Sequence, residues 1–260
     1  WYQGVLGFNE SLYPWMDEGF TSYAEEIVKE HLKSKKMYPG ETSANPFEQD
    51  ASRFISFTKA GRAEPLSTHA DHYTTNAAYG VASYVKGCLF LSQLGYVVGE
   101  DKLAASLLQF YNTWKFKHPV GTDLMNIIEK NTNIELGWYY QYMVNTNDLP
   151  DYSIDTVYGS GVRTSIVLGK RAQMPMPIDL CFEMKNGTKV FYTIAVDLMR
   201  EPKKSDRDMP KLKALPSWNW TNPNYECTLD IPMNDIFSIK IDPTKRMLDS
   251  DATSNEWVNK

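Results

Sequence analysis

Two side chains in this 260-residue sequence, a carboxylate and a phenol, lie in residue patterns that are compatible with a role in catalysis. Glu18 lies in the stretch Trp15–Glu25, whose apolar residues recur at helical spacing. On a helical wheel Glu18 falls on the polar side, which is typical of a solvated helix carboxylate. Tyr84 shares an apolar stripe with Cys88 and Leu91, which is typical of a core residue. Periodicity alone therefore favours a structural role for both side chains.

The order of residue types adds a second interpretation. The stretch Trp15–Glu25 reads Trp-x-x-Glu-Gly-Phe-x-x-Tyr-x-Glu, which resembles the zinc-ligand helix of the aminopeptidase N family, the gluzincin zinc metallopeptidases. The segment Ser83–Gly87 resembles the Tyr-x-Lys-Gly element of the same family. The resemblance implies that Glu18 is the third protein ligand of a catalytic zinc, and that Tyr84 donates a hydrogen bond to the oxyanion of the tetrahedral intermediate. It also implies a substrate-binding role for Tyr79.

The resemblance also implies that ligands are missing. A catalytic zinc takes three protein ligands and leaves one position for water, so Glu18 alone cannot hold it. In the family the other two ligands belong to a His-Glu-x-x-His helix, whose spacing from the glutamate places it before Trp1. We therefore expect a fragment that begins just after this motif, with one zinc ion in the intact parent and none in the fragment. The parent is expected to be an aminopeptidase that cleaves N-terminal residues from peptides with zinc-activated water, and the fragment alone is expected to be inactive.

Two alternatives stay open at the level of sequence. The first is a non-catalytic module that binds peptide or carbohydrate through helical and β-sandwich domains, since a relative without the histidines would share this pattern. The second concerns His69 and His72, which are spaced as half of a metal site. The same two histidines are also compatible with polar residues that line a pocket or a capped loop.

Composition narrows the classes of function. A net charge of -5, with basic residues interspersed among acids, argues against a nucleic-acid surface. No run of about eighteen apolar residues occurs, so the sequence predicts no membrane-spanning segment. The widely spaced Cys88, Cys181 and Cys227 fit neither a disulfide framework nor a Cys-x-x-Cys metal site. We interpret them as buried small hydrophobic residues, with a Cys181 to Cys227 bridge as the alternative. Compartment and oligomeric state stay open.

Helical spacing dominates the first part of the chain and disappears after Pro150. It predicts helices over residues 14–31 and 76–95 and two more between residues 100 and 145, with a weaker helical pattern over residues 51–68. After Pro150, alternation over residues 178–184, an Asn-Gly turn and a β-branched run predict a hairpin. Further strands are predicted at residues 164–168, 225–231 and 236–241, and the charged residues of 203–213 indicate a solvated loop.

These patterns predict a multidomain protein in which helices come first and strands follow. We expect residues 1–152 to form the helical C-terminal part of a zinc metallopeptidase catalytic domain. We expect residues 153–260 to form an antiparallel β-sandwich domain.

Overall fold

The first part of the chain is helical, as predicted. A computed structural model describes residues 2–206, 209 and 211–259, with the backbone alone at residue 160. Its helices are α1 Tyr2–Val5, α2 Pro14–Ser34, α3 Glu48–Lys59, α4 Asn76–Gly80, α5 Gly87–Val98, α6 Glu100–Trp114, α7 Gly121–Thr132 and α8 Gly137–Asn145. A π-helical segment, Val81–Lys86, joins α4 to α5 and makes one continuous helix of Asn76–Val98.

Helix α2 begins at the predicted residue and continues three residues beyond the predicted end at His31. Pro14 suits its first turn, where no backbone N–H is needed for the helical hydrogen bonds. Trp15, Met16 and Phe20 are fully buried and form the face that packs into the core. Ile27, which the helical wheel assigns to the same apolar arc, is instead 42% exposed. The buried face of α2 is therefore concentrated in its first three turns.

The continuous helix Asn76–Val98 is the centre of the helical unit. Every residue of α5 is buried. In the described part of the chain, Asn76–Val98 is the one helix long and apolar enough to cross a membrane by length and composition, but 94% of its apolar window is buried inside the protein. A buried core helix meets the same criteria, so this is weak evidence for a membrane span.

The second part of the chain consists of two sheets. Its strands are β1 Tyr152–Ser160, β2 Arg163–Lys170, β3 Ile178–Met184, β4 Lys189–Val196, β5 Leu212–Trp218, β6 Asn224–Leu229, β7 Ile236–Ile241 and β8 Glu256–Val258. One sheet has the order β1-β2-β6 and the other has the order β5-β4-β3-β7-β8. The predicted antiparallel pairing is wrong for β4 and β5, which pair in parallel, so the larger sheet is mixed. The sandwich arrangement stays a prediction.

The chain divides into two compact units, Trp1–Asn147 and Asp148–Lys260. This division lies a few residues before the predicted boundary at Tyr152, which is the first residue of β1. A helical unit followed by a sheet unit agrees with the sequence prediction. The assignment of residues 1–152 to a peptidase catalytic domain and of residues 153–260 to a sandwich domain stays a prediction.

The prediction of a solvated loop over residues 203–213 is wrong for two of its charged residues. Lys203 and Asp206 are 4% and 5% exposed. The Lys203 ammonium lies 2.5 Å from an oxygen of Asp179 and 3.2 Å from an oxygen of Asp206, and Arg246 lies 2.5 Å from Asp206. Charged side chains are buried where oppositely charged groups pair with them. Here the partners Asp179 and Arg246 come from distant segments of the chain, so sequence spacing does not reveal the pairing. The cysteines Cys88, Cys181 and Cys227 are free thiols.

Candidate active site

Glu18 and Tyr84 meet in the folded helical unit. Glu18 lies on the second turn of α2 and is partly exposed, while Tyr84 lies in the π-helical segment and is 41% exposed. The Tyr84 hydroxyl lies close enough to the Glu18 carboxylate for that carboxylate to raise the pKa of the phenol. Two side chains singled out from separate stretches of the sequence therefore lie close to each other, and both are accessible from solvent.

The pKa of Tyr84 reports this contact. It is raised to about 12, first because the hydroxyl interacts with the Glu18 carboxylate, and then because of burial and the negative charge of the same carboxylate. A phenol with such a pKa stays protonated at neutral pH. Tyr84 is therefore a hydrogen-bond donor that already faces a negative charge.

Tyr79 joins the same group of side chains. Its ring centroid lies 6.5 Å from that of Tyr84, with the two planes at 75°, an edge-to-face arrangement. Burial raises the pKa of Tyr79, and the charge of Glu18 raises it further. Tyr73 continues the row, with its ring centroid 5.6 Å from that of Tyr79. The structure thus places the Tyr79 ring beside that of Tyr84 and within range of the Glu18 charge. Its substrate-binding role stays a prediction.

An amide that sequence reasoning missed bridges two carboxylates at this site. The Gln3 side-chain nitrogen donates to Asp17 at 2.8 Å and lies 3.3 Å from an oxygen of Glu18. Asp17 is 2% exposed, although it neighbours a partly exposed residue on the same helix. No sequence pattern links Gln3 to this pair, because the contact depends on the path of the chain between α1 and α2.

The aromatic residues of the Trp15–Glu25 stretch hold α2 in place. The Trp15 ring lies 4.9 Å from the ring of Phe90 on α5 and 5.9 Å from that of Phe20. The Tyr23 ring stacks on Phe47 at 5.2 Å with the planes 6° apart. These aromatic residues therefore pack α2 against its neighbours. Glu18, on the same helix, lies near Tyr84 instead.

The π-helical segment explains why Tyr84 is not a core residue. The α-helical wheel predicts that Tyr84 shares a stripe with Cys88 and Leu91, and both of these are fully buried. A π turn contains an extra residue, so side chains before Gly87 point in a different direction from the one that an α-helix would give. The predicted stripe is therefore wrong for Tyr84. π turns are frequent at functional sites, which agrees with its contact with Glu18.

The described contacts of His69 and His72 are with each other and with Asp71. Their rings are 5.0 Å apart, and the Nδ1 atom of His69 accepts a hydrogen bond from the backbone N–H of Asp71 at 3.2 Å. In the described ranges, no group of three or more His, Cys, Asp or Glu side chains could hold a metal ion. These contacts favour a capped turn over half of a metal site.

Lys86, which belongs to the Ser83–Gly87 segment, is a structural residue. It is 1% exposed, and its ammonium donates to the carbonyl oxygen of Thr146 at 2.5 Å and to the side-chain oxygen of Asn147 at 3.1 Å. It also lies 5.5 Å from the ring centroid of Phe54. The side chain therefore ties the central helix to the end of the helical unit.

Replacing Lys86 with methionine is expected to destabilise the protein by about 1–3 kcal/mol, because two partly buried acceptors lose a charged donor. The measurement is the free energy of unfolding in urea. Lys102→Met is the control, because Lys102 is exposed on α6 and should change stability by less than about 0.5 kcal/mol. Equal stability of the two variants would contradict the structural role.

Comparison with known proteins identifies the family of this chain and shows which known structures have a similar fold. Residues 12–143 match the model of the peptidase family M1 domain. The structure is similar to that of Legionella pneumophila aminopeptidase A in complex with aspartic acid, at 9% identity and a TM-score of 0.57, over 92% of this chain and 24% of that one. At this identity the likeness shows the fold alone.

A second similar structure is a mutant M1 zinc metallopeptidase from Deinococcus radiodurans bound to a Tyr-Ser-Ala substrate. It is 19% identical, with a TM-score of 0.45, over 58% of this chain and 31% of that one. This chain therefore spans about a quarter to a third of the length of these two structures. No curated protein sequence matches it significantly.

Proposed function

This chain belongs to peptidase family M1, and from that premise we propose that it is part of a zinc-dependent metallopeptidase of the aminopeptidase type, which removes N-terminal residues from peptides. The observation that supports the proposal is the proximity of Tyr84 to Glu18, whose carboxylate raises the pKa of the phenol. These residues occupy the positions at which the family resemblance expects a zinc ligand and an oxyanion donor. Both lie within the matched residues 12–143.

Glu18 fits the role of one zinc ligand. Its carboxylate is partly exposed, and Gln3 lies within hydrogen-bond distance of one of its oxygens, as an orienting neighbour of a ligand would. Two histidines of the His-Glu-x-x-His motif that the family resemblance implies would complete the ligand set. Zinc, when bound, lowers the pKa of a water molecule and so supplies the nucleophile at neutral pH.

Tyr84 would stabilise the negative charge that develops on the substrate carbonyl oxygen. Its phenol stays protonated at neutral pH and lies near the Glu18 carboxylate. An oxyanion formed close to Glu18 would therefore lie within reach of the same O–H group. A preorganised donor of this kind contributes about 3–4 kcal/mol to catalysis.

Tyr79 would contact the substrate next to the reacting bond. Its ring stands edge-on to Tyr84, and its phenol is close enough to Glu18 for the pKa to respond to that charge. A peptide held between Glu18 and Tyr84 would therefore meet the Tyr79 ring. The preference for N-terminal residues rests on family membership, since no described contact recognises a substrate amino group.

The proposal is tested on the full-length protein. We expect about one zinc ion per chain, cleavage of N-terminal residues from short peptides, loss of cleavage with a chelator and recovery when zinc is restored. An N-acetylated copy of the same peptide is the control, and it should stay intact because an aminopeptidase needs a free amino group. The chain of residues 1–260 alone should bind no stoichiometric zinc and cleave nothing.

Three results would contradict the proposal. Full-length protein without zinc and without activity would favour the peptide- or carbohydrate-binding module. Cleavage of the N-acetylated peptide would replace the aminopeptidase with an endopeptidase. Tight zinc binding by residues 1–260 alone would show that this chain holds ligands other than Glu18.

A further inference from the structure

Two glycines bring helices α2 and α5 into backbone contact beside the candidate active site. A Cβ atom at Gly19 would lie 2.4 Å from the carbonyl carbon of Gly87 and 2.5 Å from its Cα atom. A Cβ atom at Gly87 would lie 2.7 Å from the carbonyl oxygen of Trp15. Because real Cβ atoms essentially never come within 3.0 Å of other atoms, this approach is closer than any side chain at either position allows.

Neither glycine is needed for an unusual backbone conformation. Gly87 has φ of -61° and ψ of -40°, which are ordinary helical values. Gly19 lies inside α2 and is not among the glycines with positive φ. Glycine is also a poor helix former, so local propensity gives no reason for it at these positions. The close approach of the two helices is the physical reason that remains.

Each glycine is next to one member of the Glu18–Tyr84 pair. Gly19 follows Glu18 directly on α2, and Gly87 comes less than one turn after Tyr84 on the central helix. No loop separates either glycine from its neighbouring site residue. A change in the distance between the helices at this contact would therefore pass directly to the carboxylate and the phenol.

We propose that Gly19 and Gly87 are positioning residues, whose backbone contact sets the distance between the Glu18 carboxylate and the Tyr84 hydroxyl. They act through these two side chains and touch no substrate. The effect on catalysis rests on the function proposed above, whereas the effect on the Glu18–Tyr84 contact does not.

The chain offers a matched pair of variants in one helix. Gly87→Ala adds a methyl group against α2, whereas Gly80→Ala adds one where no atom lies within 4 Å. Both are made in the full-length protein, with 3-fluorotyrosine in place of Tyr84 as a probe. In zinc-depleted protein, the change in the fluorine chemical shift caused by Glu18→Gln measures the contact between the two side chains.

We expect this shift change to persist in the Gly80→Ala protein and to fall by more than about half in the Gly87→Ala protein, because the hydroxyl and the carboxylate move apart. With zinc restored and Tyr84 unlabelled, we expect kcat of Gly87→Ala to fall about 100-fold, since small misplacements of reacting groups are that costly. KM and zinc content should stay close to those of the parent. A purely structural role would lower the melting temperature and leave kcat of the folded protein unchanged.

The outcomes separate this proposal from the proposed function. An undiminished shift change in Gly87→Ala would overturn the positioning role whatever the activity. A diminished shift change in a protein that cleaves no peptide would support the positioning role and contradict the peptidase. A Gly87→Ala protein that is unfolded even at about 10 °C, by circular dichroism, would assign the contact to stability alone and overturn the proposal.

Discussion

Replacing Glu18 with alanine in the full-length protein is expected to abolish both zinc binding and peptidase activity. A catalytic zinc has three protein ligands, so this change removes a third of the protein's coordination. The loss of zinc affinity should exceed the 10- to 100-fold that is typical when a residue behind a ligand is changed. Zinc content by elemental analysis and the rate of peptide cleavage are measured on the same preparation.

The control for this change is a carboxylate on another helix. Glu48 is exposed on the first turn of α3, so Glu48→Ala should keep one zinc and full activity. A surface charge of this kind changes stability by no more than about 1 kcal/mol. A Glu18→Ala protein that retains zinc would show that the carboxylate is not a ligand, even if activity were lost.

The positions of the site residues could be predicted from sequence because they sit in ordered motifs. The pattern around Glu18 and the pattern around Tyr84 both lie on long helices, whose existence the apolar spacing indicates. The structure confirms these helices and brings the two side chains close enough for Glu18 to raise the pKa of Tyr84. Their catalytic roles remain predictions, because contact in the fold does not identify what the contact does.

The rest of the site depends on contacts that have no signature in the sequence. Gln3 reaches Asp17 and Glu18 only because the chain folds back between α1 and α2. The exposure of Tyr84 depends on a π turn, and an α-helical wheel applied across that turn assigns the side chain to the core. Helical periodicity describes regular helices, so it fails where the helix is irregular, which here is beside the candidate site.

In the sheet unit, strands with buried faces were easier to predict than exposed ones. The predicted bounds of β3 are those in the structure, where five of its residues in succession are buried. Strand β5 has no clear strand pattern in the sequence, because most of its residues are exposed and it contains Pro216, which is typical of an edge strand. It lies at the edge of the larger sheet and pairs in parallel with β4, and this pairing has no local sequence signal.

The second large effect is expected from replacing Tyr84 with phenylalanine in the full-length protein. This change removes one hydroxyl and keeps the ring, so the edge-to-face contact with Tyr79 should survive. Loss of a preorganised oxyanion donor typically lowers kcat about 100- to 1,000-fold. Zinc content should be unchanged, because the phenol is not needed to hold the metal. The measurement is kcat and KM for one peptide, together with zinc content.

The separation of kcat from KM decides what Tyr84 does. A donor that acts only in the transition state changes kcat and leaves KM within a few fold, whereas a residue that binds the ground-state peptide changes KM. Tyr38→Phe is the control, because that phenol is 44% exposed on the loop after α2 and should change neither constant. A Tyr84→Phe protein with full kcat would show that Tyr84 is not the oxyanion donor, and would leave the role of Glu18 as a zinc ligand untouched.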